Sequence, residues 1–401
     1  MILPDGWRLI ELSEIADVNK ENLSDQTDIV HKYYYIELSD VDKGKINFPN
    51  EKIKFNELPS RARRMLKQWD VLMATVRPQL LSYAICDFNV QDTLCSTGFA
   101  LISCDDQYDA QYLYQYLYSR HIQAQLHGLV TGSSYPAINA SQVKKLKITI
   151  PKQSLERKKI AEILSTWDEA INITEQLIEA LRQRKKGLMQ RLLTGQVRFP
   201  EFEEEWKEIR IGKLLREVKR PVNWDDDSIY NLISVRRRSG GLFLREQKSG
   251  REIKTKNMNV ALEGDFLISK MQIVHGASGL TNQEFDGMHI SGSYISLVSR
   301  DSKIFDIRFF DLLSRTPFFY KLTFLSSCGV HVEKMTFDLS DFLKHNILIP
   351  TLLKEQKKIV ELFNVVETEI KLEEKKLGSL KQQKKGLMQL LLTGQVRVKV
   401  E

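Results

Sequence analysis

Residues 185–198 read KKGLMQRLLTGQVR and residues 384–397 read KKGLMQLLLTGQVR, so 13 of 14 positions are identical at an offset of 199. Only Arg191 against Leu390 differs. The same offset holds upstream without a gap. Ile150-Pro151 matches Ile349-Pro350, and Glu156-Arg157-Lys158-Lys159-Ile160 matches Glu355-Gln356-Lys357-Lys358-Ile359. Strings of this complexity do not recur by chance. The chain is an internal duplication, and its fold has to be assembled from two copies of one plan.

The duplicated stretch predicts a long helix in each copy. Ile160, Leu164, Trp167, Ile171, Thr174, Ile178, Leu181, Lys185, Leu188 and Leu192 alternate in steps of four and three, the a/d seam of a heptad. The second copy gives Ile359, Phe363, Val366, Ile370, Glu373, Leu377, Leu380, Lys384, Leu387 and Leu391. Both seams carry polar residues at the same two places, Thr174 and Lys185 against Glu373 and Lys384. Glu, Lys, Arg and Gln fill most positions between, as on a solvated helix surface. Pro151 and Pro350 lack the amide of an upstream turn, so each helix starts after its proline. Gly195 and Gly394 stand where a left-handed C-terminal cap is expected. About 40 residues at about 1.5 Å each make a rod of about 60 Å. Two narrow seams in one chain satisfy each other most simply, and the long segment between them allows an antiparallel pair.

The remainder is two globular segments. The boundaries read as 1–150 for the first globular domain, 151–199 for the first helix, 200–349 for the second domain and 350–401 for the second helix. Trp7 and Trp206 open the two segments at the same offset of 199. Tyr33-Tyr34-Tyr35-Ile36 is β-prone. Trp69-Asp70-Val71-Leu72 and Gly264-Asp265-Phe266-Leu267 each read as an apolar strand entered from an acidic turn. Residues 110–117 and 305–313 predict helices, residues 142–150 read as a short helix then a strand, and residues 342–349 read as the closing strand of the second segment. The fold class is therefore α+β: two mixed α/β domains separated by two long helices forming an antiparallel coiled coil, with a pseudo-two-fold repeat. The helices are almost identical, whereas the globular segments share only a framework.

Composition excludes more than it identifies. A length of 401 residues, 28% charged and 42% hydrophobic, is ordinary for a soluble globular protein. No run of 18 apolar residues and no signal peptide is evident, so a cytoplasmic protein without a membrane span is expected. Cys86, Cys95, Cys104 and Cys328 show no metal-site spacing and read as reduced thiols. No phosphate loop ends in Gly-Lys-Ser/Thr, and no Asn-Pro-Pro-aromatic or Asp-Pro-Pro-aromatic tetrapeptide marks an amino-methyltransferase pocket. Asp168-Glu169-Ala170 lies within the heptad helix and reads as surface charge. Glu252-Ile253-Lys254 with Asp225, Asp226 or Asp227 is too common a pattern to mark a nuclease. Neither catalytic residues nor metal ligands are expected.

The net charge of +7 suits a polyanionic partner. The basic clusters lie in the globular segments. Arg61, Arg63, Arg64 and Lys67 precede the Trp69 strand, and Arg77, Gln79, Ser82 and Tyr83 follow it. In the second segment Arg236, Arg237 and Arg238 are consecutive. Arg245, Lys248, Arg251, Lys254 and Lys256 continue the run, and Lys270, Gln272 and His275 follow the equivalent strand. Arg and Lys contact phosphates, and Arg and Gln also read base edges. Solvated loops without a partner are the plainer explanation for any one of them.

With the Ile-Pro helix starts, the Glu-x-Lys-Lys-Ile turns, the repeated Lys-Lys-Gly-Leu-Met-Gln and Leu-Leu-Thr-Gly ends and the Trp-led openings, the chain resembles the specificity subunit of type I restriction–modification systems over essentially its whole length. The resemblance implies a DNA reader without catalytic activity of its own. Each globular domain would be a target recognition domain for one half of a bipartite site in double-stranded DNA. The paired helices would set the gap and dock two methyltransferase subunits, which modify adenine. Motor-nuclease subunits would join them for restriction. S-adenosylmethionine, ATP and Mg would belong to those partners, and this chain would carry no cofactor. The residues expected on DNA are Arg61, Arg64, Arg77, Gln79, Ser133, Ser134 and Tyr135 in the first domain. In the second they are Arg236, Arg237, Arg238, Lys270, Gln272, His275 and His331. Gly132-Ser133-Ser134-Tyr135-Pro136 and Cys328-Gly329-Val330-His331 occupy equivalent places before the closing strands. A duplicated adaptor that joins proteins without reading DNA is the competing reading, and a stand-alone nuclease or methylase the third.

Overall fold

The heptad stretches fold into helices Ser154–Leu192 and Leu353–Leu391, each of 39 residues, in a computed structural model that describes residues 3–24, 28–129 and 136–400. Each begins shortly after its proline. Each is followed by its glycine in the left-handed region, Gly195 at φ +72° and Gly394 at φ +69°. None of the seam residues named above is exposed.

The chain packs as two units, one of Met1–Gln176 with Lys375–Glu401 and one of Leu177–Glu374. Each unit holds the start of one long helix and the end of the other. In the first, Lys384 donates to Asp168 at 2.5 Å and Lys381 to Glu175 at 2.7 Å. In the second, Lys185 donates to Glu367 at 2.7 Å and Arg182 to Glu374 at 2.6 Å. Numbers rise along one helix as they fall along the other, so the segments run antiparallel within each unit. In the second unit Leu181 packs with Val366 and Ile370 between these ion pairs. The offset of 199 converts the pairs of one unit into those of the other. The polar seam positions thereby find partners: each seam lysine meets a carboxylate across the pair, and buried Thr174 donates to its own Ala170 carbonyl at 2.8 Å.

The TGQVR ends follow the same rule. Arg397 donates through two nitrogens to Glu156, at 2.6 and 2.8 Å, and Arg198 donates likewise to Glu355, at 2.9 Å twice. Both carboxylates are only 1% exposed. Leu391 and Leu392 enter the core of the first unit, and Leu192 and Leu193 that of the second. A Cβ on Gly394 would sit 2.9 Å from the Trp7 ring, and one on Gly195 3.4 Å from that of Trp206. The Leu-Leu and Gly of each repeat therefore touch the globular part of their unit, and the Arg meets the first turn of the other helix.

Both globular parts share one strand plan. Trp7–Glu11 pairs antiparallel with Lys147–Pro151, and Lys207–Arg210 pairs with Asn346–Ile349 in the same register. One four-stranded sheet runs Asp17–Val18, Phe99–Ser103, Val71–Ala74, Tyr83–Ile85 in the first unit, and Leu215–Val218, Tyr294–Ser299, Phe266–Ser269, Ser278–Leu280 in the second. A further four-stranded sheet contains the parallel pair Lys32–Ile36 with Thr93–Ser96, matched by Ile229–Val235 with His289–Ser291. Two expectations need adjusting. Trp69 stands before its strand with φ +70°, because Asp70 accepts from the Lys67 amide and folds the turn back. Residues 342–349 are not one strand; helix Leu339–Phe342 precedes strand Asn346–Ile349, capped by the Asp338 carboxylate.

Removing one partner of a fully buried ion pair costs about 3 kcal/mol, and less is lost here because Arg397 is itself 44% exposed. Arg397→Ala leaves Glu156 without a donor, whereas Arg198→Ala leaves Glu355 the Trp206 indole N–H at 3.0 Å. Arg397→Ala is therefore the more destabilising in urea unfolding.

The rod carboxylates also predict a pH dependence. Hydrogen bonds from Lys381 and Lys45 hold Glu175 below the usual 4.5. Burial pushes Glu367 up, but Lys185 and Arg315 outweigh it, so Glu367 also falls below 4.5. A lowered carboxylate stabilises the fold fully above its unfolded value and loses that contribution as pH falls through the folded one. The urea midpoint should hold above about pH 5 and drop below about 4.5. Glu367→Gln should flatten the drop.

Candidate nucleic-acid interface

In the first unit three segments meet at one edge. Residues 75–82 connect strands Val71–Ala74 and Tyr83–Ile85, Thr97-Gly98 connects Thr93–Ser96 and Phe99–Ser103, and residues 136–138 lie alongside. The Thr75 amide and hydroxyl donate to the Gly98 carbonyl at 2.8 and 2.7 Å. The Thr97 amide donates to Arg61 O at 2.8 Å, and the Ile138 amide to Thr75 O at 2.9 Å. The Arg77 amide donates to Pro136 O at 2.7 Å. This network gathers Arg61, Arg77 and Gln79, all exposed, on one rim. Arg64 behaves differently. It lies half-buried on strand Ala62–Met65, donates to Thr97 O at 3.3 Å, and burial pushes its pKa down. Its place is beneath the Thr97 turn. Ser133, Ser134 and Tyr135 fall outside the described residues.

The second unit repeats this edge with other side chains. The Lys270 amide donates to Ser293 O at 2.9 Å, the Gly292 amide to Asn257 O at 3.0 Å and the Phe337 amide to Lys270 O at 3.0 Å. Asn257 thus stands in the place of Arg61. The Lys270 ammonium folds back on Gly292 O at 3.1 Å. Residues 236–241 join the rim, with the Arg238 amide on His275 O at 2.7 Å and the Ser239 amide on Gly276 O at 2.9 Å. Gly276, at φ +73°, has the Tyr320 hydroxyl where a Cβ would be, so any other residue there is strained and has to displace that side chain.

The three arginines divide in role. Arg236 lies over the Phe243 ring at 4.3 Å and donates to Leu242 O at 3.1 Å, a packing position. Arg237 donates to Glu333 at 3.1 Å, and the His275 Nε2 lies 3.1 Å from the same carboxylate without a hydrogen bond to it. Arg238 is exposed. The Gln272 side-chain oxygen is buried without a hydrogen-bond partner, and His331 is exposed on the neighbouring loop.

Among the described residues, eight non-glycine residues have positive φ, and Arg77, Leu81, Arg238 and Ser239 are four of them. Strained backbone of this kind concentrates where structure serves function rather than stability. The edges are thus set apart by geometry as well as by charge.

Sequence reasoning left out a cleft of about 620 Å³ in the second unit, lined among others by Arg245, Lys248, Lys254, Asn257, Ser291 and Ser293. Glu246 takes up both Arg245 and Lys248, at 2.8 Å each. The basic run carried a signal for the cations. Asn257 and the serines carried none, because only strand alignment brings them there. The acidic turns are structural. Asp70 accepts from the Ser103 hydroxyl at 2.6 Å, and Asp265 takes a bidentate Arg220 at 2.6 and 3.1 Å. Among the described residues no cluster of three or more potential ligands could hold a metal, and no helix is long and apolar enough to cross a membrane. What the edges offer is hydrogen bonding and positive charge, the chemistry of phosphate and base contacts.

Comparison with known proteins agrees. The family model of the type I restriction modification DNA specificity domain matches residues 4–183. A putative type I restriction enzyme MjaX specificity subunit of Methanocaldococcus jannaschii is 25% identical, covering 99% of this chain and 95% of that protein. Among solved structures, a chain from a study of complex assembly and conformational transition of the type I R-M system has a TM-score of 0.62 at 22% identity, covering 99% of this chain and 100% of the other. The S subunit of a type I restriction-modification system from M. genitalium gives 0.59 at 14% identity, with 100% and 99% covered. The HsdS subunit of Thermoanaerobacter tengcongensis gives 0.51 at 20% identity, with 99% of each chain covered.

The contacts that Arg236 makes and Arg238 does not predict opposite outcomes for these two arginines. Arg238→Ala should weaken binding to duplexes of any sequence and reduce the salt slope by about one, with stability unchanged. Arg236→Ala should lower stability by about 1 kcal/mol, read as a shifted urea midpoint.

Proposed function

The chain belongs to the DNA specificity subunits of type I restriction–modification systems, and on that premise we propose how it divides the work of recognition. Each globular domain reads one half of a bipartite, asymmetric site in double-stranded DNA, through the edge described for it. The observation that carries this is that both units build one hydrogen-bonded edge and furnish it differently. Arg61 and Arg77 on one edge stand where Asn257 and Gln272 stand on the other. Equal frames with unequal side chains suit two unrelated half-sites.

The long helices serve the assembly. Their near identity suits two equivalent docking faces for methyltransferase subunits, and their pairing as an antiparallel coiled coil would set the gap between half-sites. A rod of about 60 Å exceeds one turn of B-DNA, about 34–36 Å. The chain supplies recognition and its partners supply catalysis. S-adenosylmethionine would be held by the methyltransferase, and ATP with Mg by motor-nuclease subunits where these join. The cytoplasm, where the DNA is, would be the place of action.

Co-expression with the partner methyltransferase followed by mapping of N6-methyladenine tests this. A two-part motif with a fixed gap is expected. Exchanging residues 201–349 for another recognition domain should change one half-site and leave the other and the gap intact. No motif, with the methyltransferase shown to be active, would leave the protein-adaptor reading standing.

A further inference from the structure

The segment before the closing strand of the second unit is a hairpin. Ser327–Cys328 pairs antiparallel with Thr336–Phe337, and the Phe337 amide ties it to Lys270 of the recognition edge. Met335 is buried and anchors its base, while the Val332–Lys334 turn shapes its tip. The tip presents Val330, 95% exposed, His331, Val332, 47% exposed, and Glu333, whose side chain is 63% exposed. Arg237 and His275, from two other turns of the edge, meet at the Glu333 carboxylate.

Lys334 on the same turn suits a phosphate, but the rest of this chemistry does not. A carboxylate facing the DNA backbone is repelled, and valines offer it nothing. It is right for base edges. In the major groove the partners of a carboxylate are the amino groups of cytosine and adenine, and the partner of a valine methyl is the thymine methyl. That groove, about 12 Å wide, admits a two-stranded β-ribbon.

Resting on the DNA-reading function proposed above, we infer that this hairpin is the base-reading element of the second domain. Glu333 accepts a hydrogen bond from a cytosine or adenine amino group, and Val330 and Val332 line the path of a thymine methyl. In the free protein Arg237 holds Glu333 in place, with the His275 ring beside it. On DNA they are released toward phosphates, so the same carboxylate lowers attraction to non-cognate DNA.

The test compares wild type with Glu333→Gln, Glu333→Ala and Val330→Ser, each co-expressed with the methyltransferase, by N6-methyladenine mapping and by duplex binding across salt. Expected is an altered or relaxed base at one position of one half-site in the Glu333 variants, with about tenfold less discrimination there. The other half-site and the gap stay as in wild type. Non-cognate binding gains a steeper salt slope, by about one. An unchanged motif in all three variants overturns the inference, even with a steeper slope, because Glu333 would then only neutralise surface cations. Loss of both half-sites together, in a complex that still forms, also overturns it. A wild-type chain without any bipartite motif would instead sink the function on which the inference rests.

Discussion

Two buried carboxylates hold this protein together. Glu156 and Glu355 open the long helices, and each is removed from water almost entirely. A buried charge persists only where it is paired and hydrogen-bonded. The partner in each unit is the arginine just beyond the end of the other helix, Arg397 for Glu156 and Arg198 for Glu355. That requirement brings the end of one helix to the start of the other. It also brings the adjoining leucines into the core and the capping glycine against its tryptophan. The repeated motif is thus a set of contacts that must be made together, which accounts for its near identity in the two halves.

A frame defined by such contacts tolerates change elsewhere. Lys185 with Glu367 and Lys384 with Asp168 are one interaction written twice. The hydrogen bonds common to the two edges run between backbone groups, from Thr97 to Arg61 and from Gly292 to Asn257. Backbone groups carry no side-chain identity. The edge therefore keeps its shape while Arg61 gives way to Asn257. A constant backbone frame with replaceable side chains is the physical basis on which the proposed reading of two different half-sites would rest.

Much of this was legible beforehand. The heptad steps placed the helices to within a few residues, and proline and glycine chemistry placed their ends. The basic residues pointed to the right turns but not to their roles. Arg64 and Arg238 look alike in the chain, yet one supports the Thr97 turn from a half-buried strand and the other is exposed. Arg236 and Arg237 are neighbours, but one lies on Phe243 and the other reaches Glu333. Glu333 had no signal at all, since an isolated acid on a loop becomes meaningful only beside the cations it faces.

The sequence by itself determined the duplication, the helices and the two-domain plan, because periodicity and repeats are properties of order along the chain. It also determined the absence of recognisable catalytic motifs among its residues. Only the tertiary structure decided which polar seam residues pair, why the repeat ends in arginine, and which side chains share an edge. Those outcomes depend on strand register and on burial, which join residues as distant in sequence as Glu156 and Arg397.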